Sequence, residues 1–171
     1  MKYSKAKTIF FYILICGIMM IPVMMLTSCR GTGETEKASE EAVRTCTISI
    51  RCDVLLDKMD EVTPEKAEFI PEDGVILQET EVSVKDGDTV YDILKNVCAA
   101  DKIHMEMRNT AGTVYIEGIG QLYEFDCGEL SGWMYSVNGI FPEYGCSEVE
   151  VSDGDVIEWQ YTCNLGMDLG K

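Results

Sequence analysis

The sequence predicts an α+β fold: a mixed sheet with one main helix packed on it, reached through a leader and a polar tether. Three observations predict it. Residues 45–52 alternate apolar and polar side chains, the period of a half-buried strand. Val90, Ile93, Leu94, Val97 and Cys98 follow the 3, 4, 7 spacing of a single amphipathic helix. The other apolar runs are short, rich in Val, Ile, Tyr and Trp, and divided by Gly, Asn and Asp, which is the composition of strands and turns. One helix among several strands belongs on one face of a sheet.

The leader comes first. Lys2, Lys5 and Lys7 form a positive start, and residues 9–26 carry no charge and are mostly apolar. That is the pattern of a secretory signal. It ends in Leu26-Thr27-Ser28-Cys29: a branched aliphatic, two small residues for the peptidase pocket, then a thiol that accepts a diacylglyceryl group. Residues 1–28 are therefore expected to be removed, leaving Cys29 lipidated. The alternative is a plain membrane anchor, since eighteen such residues just reach across ~30 Å of hydrocarbon. Pro22 and the placement of Cys29 weigh against it. Both readings put the rest of the chain on the extracytoplasmic face of the cell membrane. Residues 29–44, mostly Gly, Ser, Thr and Glu after the cysteine, read as a solvated tether. The domain is expected over 45–171.

Within it, Cys46, Ile48, Ile50 and Cys52 share one face of the first strand. Residues 54–59 suggest a short helical piece, and Pro64 and Pro71 mark an irregular excursion. Residues 75–77 and 81–84 are strand-like. Asp86-Gly87-Asp88 turns the chain, with Asp88 expected to cap the helix, which ends near Ala100. Strands are then expected over 103–107, 113–116, 123–125, 133–137, 140–144, 149–151 and 156–162. Asn138-Gly139 between two of these runs is a strong hairpin signal, because both residues tolerate positive φ. Residues 82–88 (VSVKDGD) echo 149–155 (VEVSDGD), which suggests one strand-to-turn unit used twice.

Loss of the leader removes three lysines and leaves eleven basic against thirty acidic side chains, a formal charge of −19. So acidic a surface excludes binding of nucleic acid through its phosphates. Of the eight cysteines, Cys16 departs with the leader and Cys29 is acylated. Cys46, Cys52, Cys98, Cys127, Cys146 and Cys163 remain, and an even number in an exported chain reads as disulfides whose pairing is left open. Zinc would want close CxxC-type pairs, and the tightest spacing is Cys46-x5-Cys52.

A family resemblance rests on Ser131-Gly132-Trp133-Met134-Tyr135-Ser136-Val137-Asn138-Gly139, Gly145, and Asp153-Gly154-Asp155-Val156-Ile157-Glu158-Trp159-Gln160-Tyr161. Residues 86–94 (DGDTVYDIL), 116–119 (IEGI) and 123–125 (YEF) fit the same pattern. Over residues 75–168 the chain resembles the transcobalamin C-terminal-like domain. The resemblance implies a β-grasp-like fold related to soluble-ligand-binding domains. In transcobalamin and intrinsic factor that domain closes over cobalamin against a helical toroid, and a chain this short has no room for a toroid. Cobalamin is thus the ligand the resemblance suggests, but the ligand does not transfer with the fold.

The candidate binding residues are aromatic, with two polar neighbours: Trp133, Tyr135, Tyr144, Trp159 and Tyr161, joined by Ser136 and Asn138. Residues two apart on a strand share a face, so Trp133 pairs with Tyr135 and Trp159 with Tyr161. Flat rings with a polar handle suit a planar ligand or partner; equally, Trp133 and Trp159 are candidates for the core, and Asn138 for a turn. His104 and the pairs Asp86/Asp88 and Asp153/Asp155 read as structural rather than as metal ligands. The sequence has no GxSxG or HExxH and a single histidine, so no enzyme is expected. The expected function is a lipid-anchored binding module for a soluble ligand such as a corrinoid. The alternative is a structural or protein-interaction module of the envelope with no small ligand.

Overall fold

The computed structural model describes residues 43–170. The leader expected over 1–28, the lipidation site Cys29 and the tether up to residue 42 lie outside the described residues.

Among the described residues there are seven strands and one α-helix. β1 (Thr45–Arg51) buries Cys46, Ile48 and Ile50, as its alternation requires. Two 3-10 turns follow, Asp53–Asp57 and Pro64–Phe69, where a helical piece and an irregular stretch were expected. β2 (Val75–Ser83) runs through both of the short stretches expected there. Its register against β1 shifts between Ile48 and Ile50 and again before Arg51, and that irregularity hides one strand as two apolar patches.

α1 (Val90–Asp101) buries Val90, Ile93, Leu94, Val97 and Cys98, the five residues of the helical spacing. Its cap is Thr89, not Asp88. The Thr89 hydroxyl accepts from the Asp92 amide at 3.3 Å, and the Asp92 carboxylate accepts from the Thr89 amide at 3.0 Å, a reciprocal capping box. Asp88 is occupied one turn earlier, accepting from the Lys85 amide at 2.8 Å.

β3 (Met105–Thr110), β4 (Thr113–Ile119), β5 (Leu122–Tyr123), β6 (Gly132–Val137) and β7 (Val156–Thr162) complete the fold. They do not form one sheet. One sheet has the order β2-β1-β7-β6, with β1 and β7 parallel; the other is antiparallel, β3-β4-β5. Residues of both sheets and of α1 meet in a single core that includes Ile48, Ile50, Leu94, Ile119, Leu122, Ile157 and Trp159.

Two strands expected from the sequence are absent. Asn138 and Gly139 do turn the chain, with φ of 54° and 75°. Val137 and Ile140 exchange both backbone hydrogen bonds at 2.9 and 3.0 Å. The ladder stops there, since Pro142 offers no N–H, and β7 takes the place beside β6. Residues 149–151 form only an isolated bridge, Thr89 to Glu150.

The repeated Asp-Gly-Asp is one turn built twice. In each, the second aspartate accepts from the backbone amide three residues earlier: Asp88 from Lys85 at 2.8 Å, Asp155 from Ser152 at 2.7 Å. The glycines share a φ of 80° and 81°, which only glycine adopts at little cost. Both turns flank the start of β1: Asp153 accepts from the Thr45 amide at 2.8 Å, and Asp86 pairs with Arg44.

Thr89→Ala is expected to lower the unfolding free energy by about 1 kcal/mol, measured by urea denaturation. The hydrogen bonds from the Thr89 hydroxyl and amide hold the Asp92 carboxyl below its usual value. A depressed carboxyl adds stability above its unfolded pKa and loses it as pH falls through the folded one. The acid limb of the stability curve below about pH 4 is therefore expected to be shallower in Thr89→Ala than in the parent.

Candidate functional site

The register of β6 against β7 sets the site. Directly opposed residues share a face, and here Trp133 lies opposite Tyr161 and Tyr135 opposite Trp159. The aromatic side chains therefore pair across the strands as well as along them, and the two cross-strand pairs differ.

Trp133 and Tyr161 meet edge to face, 5.3 Å between centroids at 85°, a favoured geometry. Both are buried. Trp133 Nε1 donates to the Leu122 carbonyl at 2.9 Å, and the Tyr161 hydroxyl donates to the Tyr123 carbonyl at 2.6 Å. Burial pushes the Tyr161 phenol far above its usual pKa, so it remains a neutral donor. This pair joins the first sheet to the second.

Tyr135 and Trp159, also 5.3 Å apart but tilted by 33°, border a cleft of about 200 Å³. One wall is Val114, Tyr115 and Ile116 of β4; another is Trp133, Met134 and Tyr135 of β6 with Trp159 of β7; Pro142, Tyr144, Gly145 and Cys146 form the lip. The lip is fixed at several points. The Tyr135 hydroxyl donates to the Tyr144 carbonyl at 2.8 Å. The Ser147 hydroxyl accepts from the Val114 amide at 3.0 Å. Gly145 packs so closely on β4 that a Cβ there would meet Thr113 Oγ1 at 1.8 Å. Tyr144 itself is 70% exposed.

On the far wall the Tyr115 hydroxyl donates to Glu124 at 2.7 Å, and the Arg108 guanidinium lies 4.4 Å above its ring. Arg108 also pairs with Glu117 and with Glu124. Burial, and then Glu124, push the Tyr115 phenol up to about 12. Burial, then the Cys146 thiol and Glu148, do the same for Tyr135. Both tyrosines stay protonated donors through the physiological range. Trp159 Nε1 is buried with no hydrogen-bond partner, as is Thr47 Oγ1 among the described residues.

The structure thus brings together Trp133, Tyr135, Tyr144 and Trp159 of the predicted residues. It places three elsewhere. Tyr161 is in the core. Ser136 is buried and shares a face with Glu158, to which its hydroxyl donates at 3.3 Å. Asn138 clamps the start of β7: Oδ1 accepts from the Val156 amide at 2.9 Å and Nδ2 donates to Asp155 at 2.8 Å. Sequence reasoning missed Tyr115, Pro142 and Cys146. Tyr115 lies on a recognised strand, but only the approach of β4 to β6 puts it at the cleft.

His104 lies outside the cleft, its Nε2 2.6 Å from the Tyr123 hydroxyl. The aspartates of the two Asp-Gly-Asp turns hold backbone amides or side-chain partners. No group of three or more His, Cys, Asp and Glu side chains is gathered as for a metal ion among the described residues. No helix among them is long and apolar enough to cross a membrane. All six cysteines from Cys46 to Cys163 are buried thiols in this structure.

Residues 87–163 match the family described as Domain of unknown function (DUF4430). That stretch of the DUF4430 match runs from the turn before α1 to the end of β7 and holds every cleft residue. Among solved structures, haptocorrin in complex with Cbi is similar at a TM-score of 0.54 and 16% identity, over 72% of this chain and 26% of that chain. At that identity the likeness is one of fold, and it agrees with the family resemblance of the sequence. The chain spans about a quarter of the haptocorrin chain. A proposed metal binding protein from Ruminococcus gnavus ATCC 29149 matches at 14% identity and a TM-score of 0.41, over 70% of this chain and 96% of that one. No curated protein matches the sequence.

Proposed function

We propose that this chain is a non-enzymatic binding module, held by lipid at Cys29 on the extracytoplasmic face of the membrane, which takes a planar soluble ligand of the corrinoid class. The observation that carries the reading is the cleft between β4 and β6. Tyr115, Tyr135, Tyr144 and Trp159 line it. Ring faces and phenol donors hold a flat ligand by stacking and by a few directed hydrogen bonds.

The cleft is too small to enclose such a ligand, since enclosing pockets run to about 300–1,000 Å³. It accepts an edge or a substituent and leaves one face of the ligand open. A module that covers one side needs a second body on the other, as the fold likeness to a quarter of haptocorrin suggests. The acidic surface favours neutral or cationic ligands over anionic ones.

A second reading, a protein-interaction module of the envelope without a small ligand, draws on a separate feature. Leu130 and Leu165 are 49% and 62% exposed and joined by a backbone hydrogen bond at 3.1 Å.

Titration of the protein with cobalamin and with cobinamide, followed by tryptophan fluorescence, is expected to saturate below millimolar ligand, with Tyr144→Ala about tenfold weaker. Tyr144 is the cleft ring whose loss costs the fold least, because it is mostly exposed. No binding of either corrinoid up to ~1 mM overturns the ligand assignment and favours the second reading. The anchor is tested separately: Cys29→Ser is expected to move the protein from the membrane to the soluble fraction, and unchanged membrane retention contradicts lipidation.

A further inference from the structure

Of the six buried cysteines, two face each other. Cys127 lies in the loop between β5 and β6, and Cys163 directly follows β7. Their sulfurs are 2.6 Å apart. Non-bonded heavy atoms rest near ~3.5 Å or beyond, whereas a disulfide closes to about 2.05 Å.

Neither cysteine is there by accident of a loose loop. The Cys127 amide donates to Ser131 Oγ at 3.0 Å, and the Ser131 hydroxyl and amide both reach the Gly128 carbonyl, at 2.8 and 3.1 Å. On the other side the Cys163 amide donates to Asp168 at 2.8 Å, while Thr162 Oγ1 accepts from the Gly166 amide at 2.8 Å. The two backbones are held independently, and both holdings point the sulfurs at each other. Cys127 and Cys163 are 2% and 8% exposed.

We infer that Cys127 and Cys163 form a disulfide that ties the β5–β6 loop to the end of β7. The bond forms by two exchanges with a small-molecule disulfide. The Cys127 thiolate attacks one sulfur of that molecule, giving a mixed disulfide and releasing one small thiolate. The Cys163 thiol gives its proton to water and attacks the Cys127 sulfur, which releases the second small thiolate. Two protein thiols are oxidised and one external disulfide is reduced to two thiols, so electrons and protons balance. Burial, and then the neighbouring Cys127, push the Cys163 thiol far above its usual range in the closed fold. The thiolate that attacks is therefore scarce once the core has closed, and the bond is made as the chain folds. Afterwards the same burial shields it from reductants. Such chemistry belongs to an oxidising compartment, which is where export through the leader would deliver the chain.

The bond encloses the segment from the β5–β6 loop to the end of β7, including β6 and the cleft lip. It limits how far the Trp133–Tyr161 pair can open. Its worth is mainly in the unfolded chain, where it removes the freedom of a long loop.

The test is peptide mapping of the full chain, refolded in mixed oxidised and reduced glutathione, then denatured and alkylated without reductant. The expected result is a single cross-linked species joining the Cys127 and Cys163 peptides, two hydrogens lighter than the pair of thiols. As a second readout, reduction is expected to lower the melting temperature by roughly 10 °C, a shift absent from Cys163→Ser. Alkylation of both residues without prior reduction overturns the inference, as does linkage of either one to a different cysteine.

Discussion

Two side-chain donors on the β6–β7 pair reach the carbonyls of consecutive residues in a strand of the other sheet. Trp133 Nε1 holds Leu122 at 2.9 Å and the Tyr161 hydroxyl holds Tyr123 at 2.6 Å. Strand β5, the element they hold, is two residues long and makes two ladder pairs with β4. So short a strand does not persist by its own pairing. Its carbonyls are turned inward among buried rings, where an unmet acceptor costs about 1–3 kcal/mol. The phenol shares the Tyr123 carbonyl with the Asp126 amide, which donates to it at 3.3 Å, and together with the indole on Leu122 it ties the second sheet to the first.

The cleft follows from this docking. With β5 pinned, β4 is brought beside β6, so Tyr115 faces Tyr135 across a gap that the lip at Tyr144 and Gly145 closes on one side. The aromatic residues divide accordingly. Trp133 and Tyr161 satisfy their polar atoms inside the protein, whereas Trp159 keeps an unpartnered Nε1. The cross-strand pair on the cleft side borders the surface proposed to bind, and the pair on the β5 side supports it.

What was legible in the sequence follows from which interactions are local. Period-2 alternation placed β1, and the 3, 4, 7 spacing placed α1 with its five buried residues, because both depend on near neighbours. The repeated Asp-Gly-Asp was visible for the same reason: each turn is closed within four residues. Thr89 rather than Asp88 was within reach too, since Asp92 three residues on completes a capping box. The strand expected over 140–144 failed on Pro142, which the Asn-Gly signal overshadowed. The pairing of Trp133 with Tyr161 and of Tyr135 with Trp159 depends on the register of two strands nineteen residues apart, which no local pattern carries. Tyr115 was missed on the same ground, and the division into two sheets is a long-range property as well.

The central claim is that the Tyr161 and Trp133 donors dock β5, and through it the second sheet. Backbone hydrogen exchange of Tyr161→Phe, compared residue by residue with the parent, tests it most directly. The account predicts faster exchange concentrated at the β4–β5 pairs around Gly118 and Leu122, with β1 and the β1-facing side of β7 keeping their protection. Exchange raised evenly over both sheets, or unchanged at β5, would contradict it.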